Sequence, residues 1–207
     1  MCLILFSYKT HPRYKLIVAA NRDEFYERPT ASADFWDDQP DIVAGRDLEG
    51  NGTWMGINKR SGDIAMLTNY RDLANIKPDA PSRGHLVSDY LTLNHDPDQF
   101  FEKNKHQFNQ YNGFNVVVGK ADDLYYTSNQ FKPGLRKLPA GTYGLSNQLL
   151  NTHWPKVHKG KLKLEAITES RHFEVEHLFE ALFDNDLAKD HELPDTGVGL
   201  EMERMLS

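Results

Sequence analysis

Cys2 is the single cysteine of this chain, and only Met1 precedes it. Removal of Met1 would put a thiol and a free α-amine on one residue. Such a residue is nucleophile and base together, because the amine can take the proton that the thiol must lose. An unperturbed α-amine titrates near ~8 and a thiol near ~8.5, so this transfer is nearly balanced at neutral pH. The plainer alternative is that a small apolar residue opens a buried strand. A second group of reactive side chains follows at Asn21-Arg22-Asp23-Glu24.

The elements around these residues explain how they would meet. Cys2 to Tyr8 is almost continuously apolar, the pattern of a strand covered on both faces. His11-Pro12-Arg13 makes a turn, and Tyr14 to Ala20 returns as a second strand. Pairing these strands as a hairpin brings Cys2 to the end where Asn21 to Glu24 begin. Phe25 to Asn51 reads as a long irregular loop or covering flap, with Phe35 and Trp36 as anchors or pocket walls. Thr53–Asn58 and Asp63–Thr68 form a second hairpin pattern around Lys59-Arg60-Ser61-Gly62. Ser82 is placed to cap a helix reaching about Leu93, with Leu86, Val87, Tyr90 and Leu91 on one side. A shorter helix follows Asp96-Pro97. Phe114–Gly119 and Leu124–Ser128 make a third hairpin, and Leu135–Leu138 with Thr142–Leu145 a fourth strand pair, ending at Ser146-Asn147-Gln148. The remainder reads as helical, with Val175, Leu178, Phe179, Leu182 and Phe183 on one face. Hairpins alternating with helix pairs predict an α+β domain whose antiparallel sheets carry helices on their outer faces.

Composition narrows the functional classes. The 207 residues suit one generous domain or two small ones, and 39% hydrophobic with 26% charged residues is an ordinary globular balance. The net charge of −6, without a basic run, argues against a nucleic-acid partner. No apolar segment approaches the ~18 residues of a membrane span, and the N-terminus lacks the basic region of a signal peptide. One cysteine excludes an internal disulfide framework and cysteine-rich zinc sites, and fits a cytoplasmic location. The nine histidines show no metal-ligand spacing, so neither a metal nor a cofactor is expected.

Several motifs carry a resemblance. Met1-Cys2-Leu3-Ile4-Leu5-Phe6, Ala20-Asn21-Arg22-Asp23-Glu24-Phe25-Tyr26-Glu27-Arg28-Pro29-Thr30, Ala44-Gly45-Arg46-Asp47, Gly52-Thr53-Trp54-Met55-Gly56, Leu67-Thr68-Asn69-Tyr70-Arg71 and Tyr143-Gly144-Leu145-Ser146-Asn147 occur in the order of the NRDE family. That family is also called the transport and Golgi organisation protein 2 family. The resemblance implies a four-layer αββα sandwich of the N-terminal nucleophile hydrolase type. It is similar, more distantly, to the choloylglycine hydrolase and penicillin V acylase group, which attack amides with an N-terminal Cys. By that likeness Cys2 is the nucleophile, Arg22 and Asp23 stand at the group's Arg and Asp, and Asn69 and Asn147 resemble its oxyanion-site asparagines. A guanidinium beside the thiol favours thiolate, a carboxylate orients the α-ammonium, and amide NH₂ groups donate to the oxyanion.

The pattern departs from the acylases in two places. Their Arg and Asp are separated by two residues, whereas Arg22 and Asp23 are adjacent. Adjacent strand residues face opposite ways, so either the strand ends or bulges there, or Glu24 is the partner instead of Asp23. The family also continues into a late Gly-Thr-Arg-Ser-like strand that this sequence lacks, so one single domain without its last strands is expected. Asn21, Glu24, Arg46 and Arg71 are candidates for binding a ligand, and Arg46 and Arg71 equally for surface salt bridges. Two functions follow as expectations: hydrolysis of a small N-acyl substrate by Cys2, or non-enzymatic carriage of haem or an acyl-CoA or lipid-like ligand. In either, the partner is a small molecule.

Overall fold

A computed structural model describes residues 2–93, 96–131, 134–184 and 188–206. In chain order its elements are β1 (Leu3–Tyr8), β2 (Leu16–Asn21), β3 (Thr30–Phe35), β4 (Ile42–Asp47), β5 (Met55–Asn58), β6 (Asp63–Asn69), α1 (Gly84–Leu93), α2 (Pro97–Asn104), β7 (Phe114–Lys120), β8 (Asp123–Ser128), β9 (Arg136–Lys137), β10 (Gly141–Leu145), α3 (Pro155–Glu169), α4 (Val175–Leu182) and α5 (Leu200–Met205). They divide into two compact units. The first holds Met1–Asp23, Tyr70–Ile76 and Pro139–Ser207, the second Glu24–Asn69 and Lys77–Leu138.

The first unit is built on a three-stranded antiparallel sheet in the order β10-β1-β2. All six residues of β1 are buried, as its unbroken apolar run predicts. Helix α3 packs on β1 and β10, and α4 packs on β2 and α3. The core between them is Leu3, Leu5, Ile17, Trp154, Val157, Leu164 and Ala181. Gly160 lets α3 come down onto the central strand: a Cβ there would lie 2.8 Å from Leu5 Cδ1. The β1–β2 turn is clamped by His11. Its Nδ1 accepts from the Arg13 and Tyr14 amides, so Nε2 carries the proton and donates to Ser170 O at 3.1 Å.

The second unit is a seven-stranded antiparallel meander, β3 to β9 in chain order. Helix α1 lies against β4, β5 and β6 and fills the core with Leu86, Val87, Tyr90 and Leu91. Asp96 caps α2, accepting from Gln99 N at 2.8 Å with Pro97 in the first turn.

Three expectations are corrected. Phe25–Asn51 is not one irregular loop, because it contains β3 and β4. β3 is an edge strand with five of six residues exposed and a bulge between Ala31 and Asp34, so it carries no apolar alternation to read. Trp36 is the anchor, buried with its Nε1 donating to Ala44 O, whereas Phe35 is exposed. The fourth strand pair does not exist as a hairpin. β9 joins β8 and β10 joins β1, in different sheets. On α4, Leu178 and Leu182 reach the core, but Val175, Phe179 and, just past the helix, Phe183 are exposed.

Candidate active site

Sheet order places the chemistry. β1 is central and antiparallel to both neighbours, so the last residues of β2 and β10 flank the first residue of β1. Leu3 pairs with Asn21 on one side and Ile4 with Leu145 on the other. The Leu3 amide donates to Asn21 Oδ1 at 2.8 Å, and Ser146 Oγ donates to the Cys2 carbonyl at 2.8 Å. The residue before β1 is therefore held from both sides.

β2 ends at Asn21, so Arg22 and Asp23 lie beyond it and strand alternation does not govern where they point. Both act on Cys2. Burial pushes the thiol above its ordinary pKa, and a hydrogen bond from the Asp23 backbone amide works against that rise. The Asp23 carboxylate adds to the rise, and the Arg22 guanidinium opposes it. A thiol held in its neutral form needs a base to react, and an adjacent α-amine would be one.

A second set of charges lies on the β10 side. Asn147 is buried and its carbonyl accepts from Arg71 N at 2.8 Å. The Arg71 guanidinium is itself buried, donates to Glu203 Oε2 at 2.7 Å, and stacks on the Trp154 indole at 4.9 Å. Lys156, in the first turn of α3, lies over the same indole at 5.9 Å and donates to Leu206 O at 3.1 Å. Burial, helped by the charge of Arg71, lowers its pKa to about 8, while Asp23, Cys2 and Glu203 pull the other way. Lys156 and Asp23 also line one cavity, which ties Lys156 to the Cys2 cluster. A cavity of about 200 Å³ opens beside these residues, with Leu3, Asn21, Asp23, Lys156, Lys159 and Lys163 among its walls.

The sequence-derived residues fall into two groups. Cys2, Asn21, Arg22, Asp23, Asn147 and Arg71 belong to the first unit and are linked as described. Glu24, Arg46 and Asn69 belong to the second unit. There Asn69 ends β6 opposite Phe114, and Glu24 accepts from the Phe25 amide and lies 3.9 Å from Arg28. Arg46 makes a two-pronged pair with Asp38 at 2.6 and 2.8 Å and stacks on Trp36. Sequence reasoning missed Lys156, Trp154 and Glu203. Trp154-Pro155-Lys156 at a helix start was a readable cue, but Glu203 lies 132 residues from its partner Arg71 and had none. Among the described residues no group of three or more His, Cys, Asp or Glu is arranged to hold a metal ion. No described helix is long and apolar enough to cross a membrane.

The fold is consistent with a sandwich of the N-terminal nucleophile hydrolase type. A solved structure, the Caenorhabditis elegans N-acylethanolamine-hydrolyzing acid amidase ortholog, matches with a TM-score of 0.54 over 89% of this chain and 86% of that one. The identity is 11%, so the likeness is one of fold. The family follows from sequence: a model of Transport and Golgi organisation 2 matches residues 1–207, and the chain belongs to that family. The mouse Transport and Golgi organization 2 homolog is 40% identical over 96% of this chain and 76% of its own length. The human homolog is 39% identical over the same shares, and the Drosophila melanogaster protein 33% identical over 82% of this chain and 66% of its own.

Proposed function

We propose that this chain is an N-terminal cysteine amidohydrolase acting on a small N-acyl compound. The observation that carries the reading is the setting of Cys2: a thiol contacted by the Asp23 amide and influenced by Arg22, at the flanked head of the central strand. With Met1 removed, the α-amine of Cys2 takes the thiol proton. The thiolate attacks the amide carbonyl and a C–S bond forms. Arg22 favours the thiolate and Asp23 orients the α-ammonium. Asn147 donates to the oxyanion, a role worth about 2.7–4 kcal/mol for one well-placed donor. The α-ammonium then protonates the leaving amine as the C–N bond breaks. Water cleaves the thioester, releasing the acid and restoring the thiol.

Acid quench during turnover of an N-acyl substrate, followed by mass analysis of the N-terminal peptide, tests this route. An acyl adduct on Cys2 that disappears with hydroxylamine is expected. Turnover without any such adduct, in wild type and in a Cys2→Ser variant alike, would refute it.

A carrier function has one observation behind it. The cavity combines Lys156, Lys159 and Lys163 with apolar Leu3, Leu182 and Met205, the lining suited to an anionic amphiphile. At about 200 Å³ it suits a short acyl group better than a flat macrocycle.

A further inference from the structure

Helix α5 is anchored in an unusual way. Leu200, Met202 and Met205 are exposed, and the one buried residue of the helix is a carboxylate, Glu203. Its side chain is 4% exposed and that of Arg71 6% exposed. Both oxygens are engaged: Oε2 by Arg71 at 2.7 Å, Oε1 by the Thr196 amide at 2.9 Å and by Thr196 Oγ1 at 2.5 Å. A buried ion pair of this kind stabilises little more than well-packed apolar side chains would. Its geometry, however, is that of carboxylate recognition. A guanidinium faces the carboxylate, an indole backs the guanidinium, and a second cation, Lys156, shares that indole. Glu203 thus sits as a ligand would, and the space left among Arg71, Trp154, Lys156 and Glu203 is only about 10 Å³. The backbone ties the place to the Cys2 end of β1: Arg71 N donates to Asn147 O, and the adjacent Ser146 Oγ donates to the Cys2 carbonyl.

We propose that Arg71, backed by Trp154 and accompanied by Lys156, is a carboxylate-binding subsite, and that Glu203 is its built-in occupant. The segment from Pro194 to Leu206 must then lift before an external carboxylate can bind. As part of a substrate site this rests on the hydrolase reading, and it specifies the substrate class as N-acyl compounds that carry a free carboxylate. As an anion site it stands independently of turnover.

The test is thermal melting of the full chain, in a Cys2→Ala background so that catalysis plays no part. Wild type at position 203, Glu203→Ala, Glu203→Gln and the double variant Arg71→Met/Glu203→Ala are each titrated with sodium acetate against sodium chloride of equal ionic strength. Glu203→Ala should melt below the parent and recover by about 3–6 °C at tenfold saturation with acetate. The parent and the double variant should not respond. Glu203→Gln covers the case in which the alanine variant does not fold: its amide still fills the site but is held less tightly by Arg71 than a carboxylate, so it too should respond to acetate, at higher concentration. Equal responses in all four proteins, no response in a folded Glu203 variant, or failure of both single variants to fold even in acetate would overturn the subsite. Selective rescue without any detectable hydrolysis by the Cys2-containing protein would instead count against the hydrolase reading and leave the subsite standing.

Discussion

The two units differ in how many charges they draw inward and what those charges gather around. In the seven-stranded unit the core cluster is apolar and aromatic, Arg46 pairs with Asp38 and Arg28 with Asp47 at or near the surface, and the one carboxylate drawn inward among the described residues, Asp63, lies at the sheet's hairpin end beside Lys120. In the three-stranded unit, Arg71, Glu203 and the thiol of Cys2 are drawn inward, and Lys156 is held at a depressed pKa. Surface pairs give up little hydration, whereas inward charges give up much and persist only with partners. Perturbed, partnered groups gathered around one reactive side chain are the physical mark of a working site. The contrast supports the proposal that Cys2, on the smaller sheet, is the reactive centre.

The largest effect that would break this contrast is on turnover. Cys2→Ala should lower amide hydrolysis by on the order of 10⁴-fold or more, with Cys2→Ser retaining a trace. Steady-state rates on an N-acyl panel measure it, and equal rates for wild type and Cys2→Ala would remove the catalytic role. Next comes stability. Arg71→Met leaves Glu203 buried without its partner and should cost about 3–5 kcal/mol by urea denaturation. Arg46→Met, facing an exposed Asp38, should leave the urea midpoint within the scatter of ordinary surface changes. Similar losses at both positions would erase the distinction between the units.

A smaller effect concerns Lys156. Its folded pKa of about 8 lies below the ordinary lysine value of 10.5, so the unfolded chain binds more protons between those limits. Stability therefore rises with pH across that window, and at neutral pH the charged lysine opposes folding. Lys156→Met should be more stable than wild type at pH 7, by no more than about 3 kcal/mol, with the gap closing between pH 8 and 10.5. A gap independent of pH would mean that Lys156 is not held against its charge. The smallest change is expected at Phe179, which is exposed: Phe179→Ser should shift stability by about 0.5 kcal/mol or less.

What the sequence made legible follows the same division. The β1–β2 hairpin and the approach of Asn21 to Asp23 to Cys2 were readable because they depend on local pairing, and the Leu3–Asn21 register realises them. The apparent conflict between adjacent Arg22 and Asp23 is removed by where β2 ends, a boundary that periodicity locates poorly. β3 was hidden because an exposed edge strand has no apolar face to betray it. β9 and β10 read as one hairpin because two short strands in sequence carry no mark of their partners, which lie in different sheets. The Arg71–Glu203 pair is out of reach of the sequence, since charges that meet across 132 residues leave no local signal.

The most direct test of the central claim is intact mass of the untagged protein, taken before and after iodoacetamide and paired with residual activity. Loss of Met1, one alkyl group on Cys2, and turnover that falls in step with alkylation are expected. Retained Met1, or full activity with Cys2 alkylated, would contradict the claim.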